Sequence, residues 1–210
     1  INENEVVLSM FLIKLGISYF LERAKNGEFN TEFFKSPQMR SYVGSMVDER
    51  GAEFTDSVAI IFESNGWTVK KELLMGTLGA PTNLGDIDIF AFKDGAVVLI
   101  ECKNLQMAKT VSEIADVCNR FKGKEKDELR KHLNRVDWVS QNLQKTLKAV
   151  GWQGNVGILR HALLTSAEMP MKYRSDLPID SADVISFKSL SKWLEDLDTV
   201  QTSQVIQSSQ

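Results

Sequence analysis

The chain is poor in metal-binding side chains, with only two cysteines, Cys102 and Cys118, and two histidines, His132 and His161. Two thiols make neither a disulfide framework nor a four-ligand zinc site, and so few imidazoles exclude a His-rich metal centre. Free thiols suit a reducing compartment, so a cytoplasmic location is expected. An excess of positive charge is also missing. Lys and Arg total 25 against 28 Asp and Glu, a formal net charge of -3, and the sequence pI is about 5.5. The broad basic field usual in nucleic-acid binders is therefore absent, and any such contact must rest on a local patch or on metal ions.

Long apolar runs are missing too. The most apolar stretch, Val6 to Leu21, is interrupted by Lys14 and Ser18 and falls short of the ~20 residues a membrane span needs. It reads as a buried or interface helix, and neither a signal peptide nor a membrane partner is expected. The chain opens on Ile1 rather than Met, so a processed protein or a piece of a longer one is expected.

What is present suits one well-packed domain with a small helical appendage: 210 residues, 43% hydrophobic and 25% charged. Residues 5 to 25 read as a helix with apolar side chains nearly all round, a pattern normally buried. Glu32 to Asp48 is a weaker helical segment with Pro37 near its start. Glu49 to Ser64 is a separate amphipathic helix, with Phe54, Val58, Ile61 and Phe62 at helical spacing and a stop at Asn65-Gly66. Trp67 to Met75 alternates as a strand, Gly76 to Leu84 is a loop, and Ile87 to Phe92 and Ala96 to Cys102 are strands joined by a three-residue turn, Lys93-Asp94-Gly95. Thr110 to Val150 is helical and charged, with a break near Gly123. Asn155 to Thr165 and Val184 to Phe187 are strands, and Ser189 to Leu197 is a closing helix. The expected organisation is a helical extension over residues 1–48, an α/β domain with a mixed central sheet over 49–198, and a polar tail over 199–210.

Strand alternation singles out one region. Asp86, Asp88 and Phe90 share a face, opposite Ile87, Ile89 and Ala91. On the next strand Glu101 and Lys103 share a face with Leu99, while Cys102 points away and should be buried rather than nucleophilic. The hairpin lets Asp88 meet Glu101 and Lys103 at one end of the sheet. Crowded carboxylates raise each other's pKa, and a hard divalent cation relieves them. A lysine beside that cation can orient or deprotonate an attacking water, or neutralise developing charge.

At Gly85-Asp86-Ile87-Asp88 and Glu101-Cys102-Lys103 the sequence resembles the PD-(D/E)xK nuclease superfamily, of restriction-endonuclease-like fold, over roughly Gly51 to Thr165. The resemblance implies a mixed central sheet flanked by helices and Mg²⁺- or Mn²⁺-dependent cleavage of DNA, in restriction, phage defence or repair. It implies metal ligands at Asp88, Glu101, the backbone carbonyl of Cys102 and Glu53, with Asp86 as an extra acid, and a catalytic set of Asp88, Glu101, Lys103 and Glu53, the last on the preceding helix. The literal Pro-Asp is absent, because Gly85 precedes Asp86 and Ile87 precedes Asp88. The choice between Asp86 and Asp88 as principal ligand stays open. Gln141 and Gln144 do not complete a further superfamily feature.

Between residues 120 and 148 nine basic and four acidic side chains leave a local net of +5. Lys122, Lys124, Arg130, Lys131 and Arg135 are the candidate phosphate contacts, against the plain alternative of a solvated helix face. His132 lies among them. Trp67, Trp138, Trp152 and Trp193 read as core. The competing function is a non-catalytic binding or assembly module of a larger protein. RNA as substrate ranks below DNA, since no RNA-binding module is visible. In either function the apolar N-terminal helix is the candidate surface for a homodimer or a larger complex.

Overall fold

The structure is a computed structural model of the 210-residue chain. It describes residues 9–29, 31–105, 108, 110–125, 127–152, 154 and 156–197. The start of the expected first helix, including Val6, the cation Lys126 and the tail over 199–210 lie outside the described residues. The chain divides into two compact units, Ile1–Glu53 and Phe54–Gln210.

In the first unit, helix α1 (Met10–Lys25) begins on Ser9, whose hydroxyl accepts the Leu12 N–H, and ends with Arg23 and Lys25 in its last turn. Gly27 follows at φ +61°, and a Cβ there would stand 3.1 Å from the Val47 backbone nitrogen. Only glycine allows that turn and that close approach. A small core forms from Ala24, Phe34 and Val43 with Phe20, Phe29 and Met39 packed against it. Most of α1 takes no part in it. Ala24 is its one buried residue, and Met10, Phe11, Leu12, Leu15, Ile17, Tyr19 and Leu21 are exposed. Of the two expectations for this helix, burial is corrected and an exposed apolar surface remains.

Helix α2 (Pro37–Ser64) is one 28-residue element, not the two segments the pattern suggested. Pro37 opens it, a position where the missing N–H costs nothing. Around the expected division between Asp48 and Glu49, residues 45 to 50 are simply exposed apart from Met46, with intermediate burial. The helix ends as expected at Asn65-Gly66: Gly66 has φ +80°, and the Trp67 N–H returns to the Phe62 carbonyl.

The second unit is built on a five-stranded sheet of order β1-β2-β3-β4-β5. Its strands are β1 (Thr68–Leu74), β2 (Asp86–Lys93), β3 (Ala96–Lys103), β4 (Ile158–Thr165) and β5 (Val184–Ser186). β1, β2 and β3 pair antiparallel, while β3, β4 and β5 pair parallel. The sheet is therefore mixed and the class α/β, as expected. The β2–β3 turn is shorter than expected, because Lys93 pairs with Ala96 and leaves only Asp94 and Gly95 between the strands. Both have positive φ, 46° and 86°, the geometry of the two-residue hairpin turn that matches strand twist.

β3 is buried from Ala96 to Cys102, since helices cover both faces of the sheet. One face packs Ile89, Ala91, Val98, Ile100 and Leu164 against Phe54, Val58 and Phe62 of α2 and against Leu190, Trp193 and Leu194 of the closing helix α6 (190–197). The other packs Phe90, Phe92, Val97 and Leu99 against Val136 and Val139 of α4 (Glu128–Gln141) and Leu147 of α5 (Leu143–Val150). Trp67 and Trp193 are buried, and Trp138 and Trp152 pack at the margin of the second cluster, which bears out their reading as core. Helix α3 (Val111–Arg120) follows the capping box Thr110/Glu113, and the interruption between α3 and α4 contains Gly123 as anticipated. Among the described residues no helix is long and apolar enough to cross a membrane.

Candidate active site

The β2–β3 ladder decides which polar side chains meet. Its register runs from Lys93 opposite Ala96 to Ile89 opposite Ile100, and one more step sets Asp88 beside Glu101. There a side chain takes over from the backbone: Asp88 Oδ2 accepts the Cys102 N–H at 2.7 Å. Alternation also breaks at this point. Ile87 packs with Phe90 and Phe92, while Ile89 and Ala91 belong to the opposite cluster, which corrects the expected single face for Ile87, Ile89 and Ala91. Glu72, between the pairs Lys71–Ile89 and Leu73–Ile87, has φ 49°. A non-glycine residue at positive φ inside a strand marks a local distortion, and it lies across from Asp88.

Glu101 is 4% exposed, so its charge must be paired where it stands. Its Oε1 lies 3.0 Å from Lys103 Nζ, and its Oε2 lies 2.5 Å from Arg135 Nη1. The Arg135 guanidinium also donates through Nε to the Leu84 carbonyl at 2.7 Å. It thus clamps the turn that leads into Gly85-Asp86 against β3. Lys103 Nζ reaches a second carboxylate, Glu128 Oε2, at 3.2 Å, and Glu128 Oε1 accepts from Arg120 Nη2 at 2.7 Å. Charges therefore alternate from the core outward: Arg135, Glu101, Lys103, Glu128, Arg120.

Burial, with the Glu101 charge beside it, pushes the Asp88 carboxyl up to about 7 against the opposing Cys102 N–H. Asp86, partly buried at the start of β2, adds to that push. For Lys103 burial works against the charge, but Glu101 and Glu128 outweigh it and hold the ammonium well above its ordinary range. Burial opposes ionisation of Glu128 as well, yet Arg120 and Lys103 hold it low. Burial pushes the Cys102 thiol well up, in keeping with a structural rather than nucleophilic cysteine. His132 is held down to about 3 by burial and by the nearby His161, whose ring centroid is 5.4 Å away, so it is neutral. His132 Nδ1 stands 3.8 Å from Glu101 Oε2.

The structure thus brings together Asp88, Glu101, Cys102 and Lys103, with Asp86 near them. Glu53 is exposed on α2 and belongs to the first unit, whereas the other expected residues lie in the second. Among the described residues no group of three or more His, Cys, Asp or Glu is placed to hold a metal ion. The carboxylates that meet at this end of the sheet are Asp88 and Glu101. In an extended strand the N–H and C=O of one residue point to the same side, so the Cys102 carbonyl lies on the Asp88 side. Two carboxylates and a carbonyl suit Mg²⁺, which takes oxygen ligands and keeps several waters.

A family model for Upx-like anti-phage proteins matches residues 2–190. The chain belongs to this family. Its role is accordingly in defence against phage. No curated protein matches the chain.

In this Upx-like chain the basic segment is less uniform than its composition suggests. Lys124 and Lys131 are exposed, and Lys122 is half-buried. The Arg130 guanidinium donates to the Gly123 carbonyl at 2.7 Å. Arg135 corrects the expectation of a phosphate contact: it is 8% exposed and engaged with Glu101. Sequence reasoning missed Glu128 and Arg135 as members of the centre and read His132 as a surface or packing residue of the helix. Their spacing carried a signal, because positions 128, 132 and 135 recur at helical period on one face, beside Leu129, Val136 and Val139. A stripe in register with apolar core positions faces inward.

Proposed function

We propose that this chain is a metal-dependent nuclease acting in phage defence, hydrolysing phosphodiester bonds in DNA with a centre of the PD-(D/E)xK kind. The observation that carries the reading is the Asp88 carboxyl, held beside Glu101 where burial and like charge oppose its ionisation. Such an arrangement is costly without a cation and favourable with one. Asp88, Glu101 and the Cys102 carbonyl would hold Mg²⁺ or Mn²⁺, which when bound activates water and stabilises charge on the phosphoryl group. Lys103 stays protonated at neutral pH, since Glu101 and Glu128 both favour its charge. Its role is then to neutralise negative charge developing on phosphorus-bound oxygen and to orient the water, not to accept a proton. Arg135 fixes the Glu101 carboxylate, and Asp86 adds negative potential at the same end of the sheet. The exposed apolar side chains of α1 support assembly with a second copy or a larger complex, as cutting both strands of a duplex takes two centres.

A second reading, a non-catalytic module, draws on one observation. Both Glu101 oxygens are already engaged by cations, as in a structural ion-pair network.

Purified protein with labelled single-stranded, branched and duplex DNA, with and without Mg²⁺ or Mn²⁺, separates the two. Cleavage should require metal and fall at least ~10²-fold in Lys103→Ala and in Glu101→Gln, with protection of cells against phage lost in parallel. Full protection by a folded Glu101→Gln variant would sink the nuclease reading.

A further inference from the structure

Glu128 is one carboxylate shared by two cations. Its Oε2 faces Lys103 Nζ at 3.2 Å, and its Oε1 takes both Arg120 Nη2 at 2.7 Å and Arg120 Nε at 3.2 Å. These side chains are open to water, unlike the Glu101 and Arg135 pair beside them: relative exposures are 26% for Lys103, 28% for Glu128 and 52% for Arg120. Glu128 is also the first residue of α4, where the positive end of the helix favours an anion.

We propose that Lys103 and Arg120 form an anion subsite, filled by the Glu128 carboxylate in the free protein and by a nucleic-acid phosphate when substrate binds. A carboxylate and a phosphodiester each present two anionic oxygens to such a pair of cations, and arginine binds either through parallel N–H bonds. Lys103 already touches Glu101, so a phosphate in this subsite lies next to the reacting centre. Arg120, at the end of α3, then reads the backbone and carries no base specificity. Glu128 acts as a placeholder that keeps two cations from repelling each other until a stronger anion arrives. That the phosphate belongs to nucleic acid rests on the proposed nuclease function, whereas the subsite itself rests on the ion-pair geometry.

The alternative is that Glu128 merely fixes Lys103. The two differ in the sign of one measurement. Metal-free protein in EDTA is titrated with inorganic phosphate, followed by ³¹P NMR, and with end-labelled oligonucleotides, followed by anisotropy. Glu128→Gln and Glu128→Ala should both tighten phosphate binding by about fivefold at low salt. Arg120→Gln should weaken it in the wild-type and Glu128→Gln backgrounds alike. Phosphate affinity that is unchanged or lower in both Glu128 variants overturns the subsite, as does indifference of the Glu128→Gln protein to Arg120→Gln. Tighter phosphate binding with no oligonucleotide bound would leave the subsite standing and remove nucleic acid as its ligand. Oligonucleotide binding with no phosphate response to the Glu128 variants would do the reverse.

Discussion

Asp88 sits where burial and the neighbouring Glu101 both oppose its charge, and protonation relieves the conflict. An ordinary aspartate titrates near 3.8, and here the folded protein holds the proton up to about 7. Between those values the folded state binds more protons than the unfolded chain, so stability falls as pH rises and levels off above about 7. Asp88→Asn keeps an acceptor for the Cys102 N–H and removes the charge. The metal-free variant should be more stable than wild type at pH 8 by on the order of 2 kcal/mol, and its pH slope should be lost. Mg²⁺ should raise the melting temperature of wild type and leave the variant unmoved. An Asn variant that keeps the wild-type slope would mean that Asp88 is not the strained group. Arg135 carries the opposite liability. Arg135→Ala strips a partner from a buried carboxylate and should cost about 3 kcal/mol in urea unfolding. Arg135→Lys restores the charge but not the two-ended clamp to Leu84 and Glu101, and should fall between. Asp88, Glu101 and Lys103 were legible because strand period and a hairpin suffice to bring them together. Arg135, His132 and Glu128 share a helical period with the apolar positions Leu129, Val136 and Val139, so their inward aim could be read, but not which strand residues they would meet, because that depends on how α4 packs on the sheet. Composition alone made Arg135 part of a basic surface.

At the scale of elements, the sheet was read closely and the helices less so. Strands β2 and β3 carry apolar runs bounded by turn residues, so their limits follow from local chemistry. The turn came out one residue too long because Lys93 pairs with Ala96, a register that composition does not reveal. Helix α2 was divided because a polar, exposed stretch breaks the apolar period without breaking the backbone; periodicity reports burial, and an exposed helix has none to report. The continuous helix makes a testable claim at Gly51. It lies inside α2, and a Cβ there meets nothing within 4 Å. Gly51→Ala should therefore stabilise the protein by about 0.5–1 kcal/mol. If residues 49 to 52 were a linker between two helices, the gain would shrink to the general effect on the unfolded chain. Helical content by circular dichroism should rise together with the melting temperature. A neutral or destabilising result would argue for a break at this point.

For the whole molecule, charge limits how the proposed DNA substrate would be found and held. A formal net of -3 gives no long-range attraction for DNA, so the proposed binding would draw on a few local cations. The structure reduces their number further. Arg135 is buried on Glu101, the Arg130 guanidinium is tied to Gly123, and Arg120 is held by Glu128. Between residues 121 and 135, among the described residues, Lys124 and Lys131 face solvent and Lys122 is half-buried, with Lys103 and Arg120 available once Glu128 gives way; Lys145 and Lys148 are exposed further along, on α5. Each phosphate neutralised contributes about -0.9 to the slope of log affinity against log salt on duplex DNA. Three to four contacts predict a slope near -3, so affinity should drop about 50-fold between 50 and 200 mM salt. The measurement is fluorescence anisotropy of a short labelled duplex with the metal-free protein across that range. A slope of about -6 or steeper would require cations beyond this group, such as Lys145 and Lys148 of α5 or those of a partner copy engaged through α1. A slope near zero would remove the phosphate backbone as the ligand and leave the acidic surface to a protein partner.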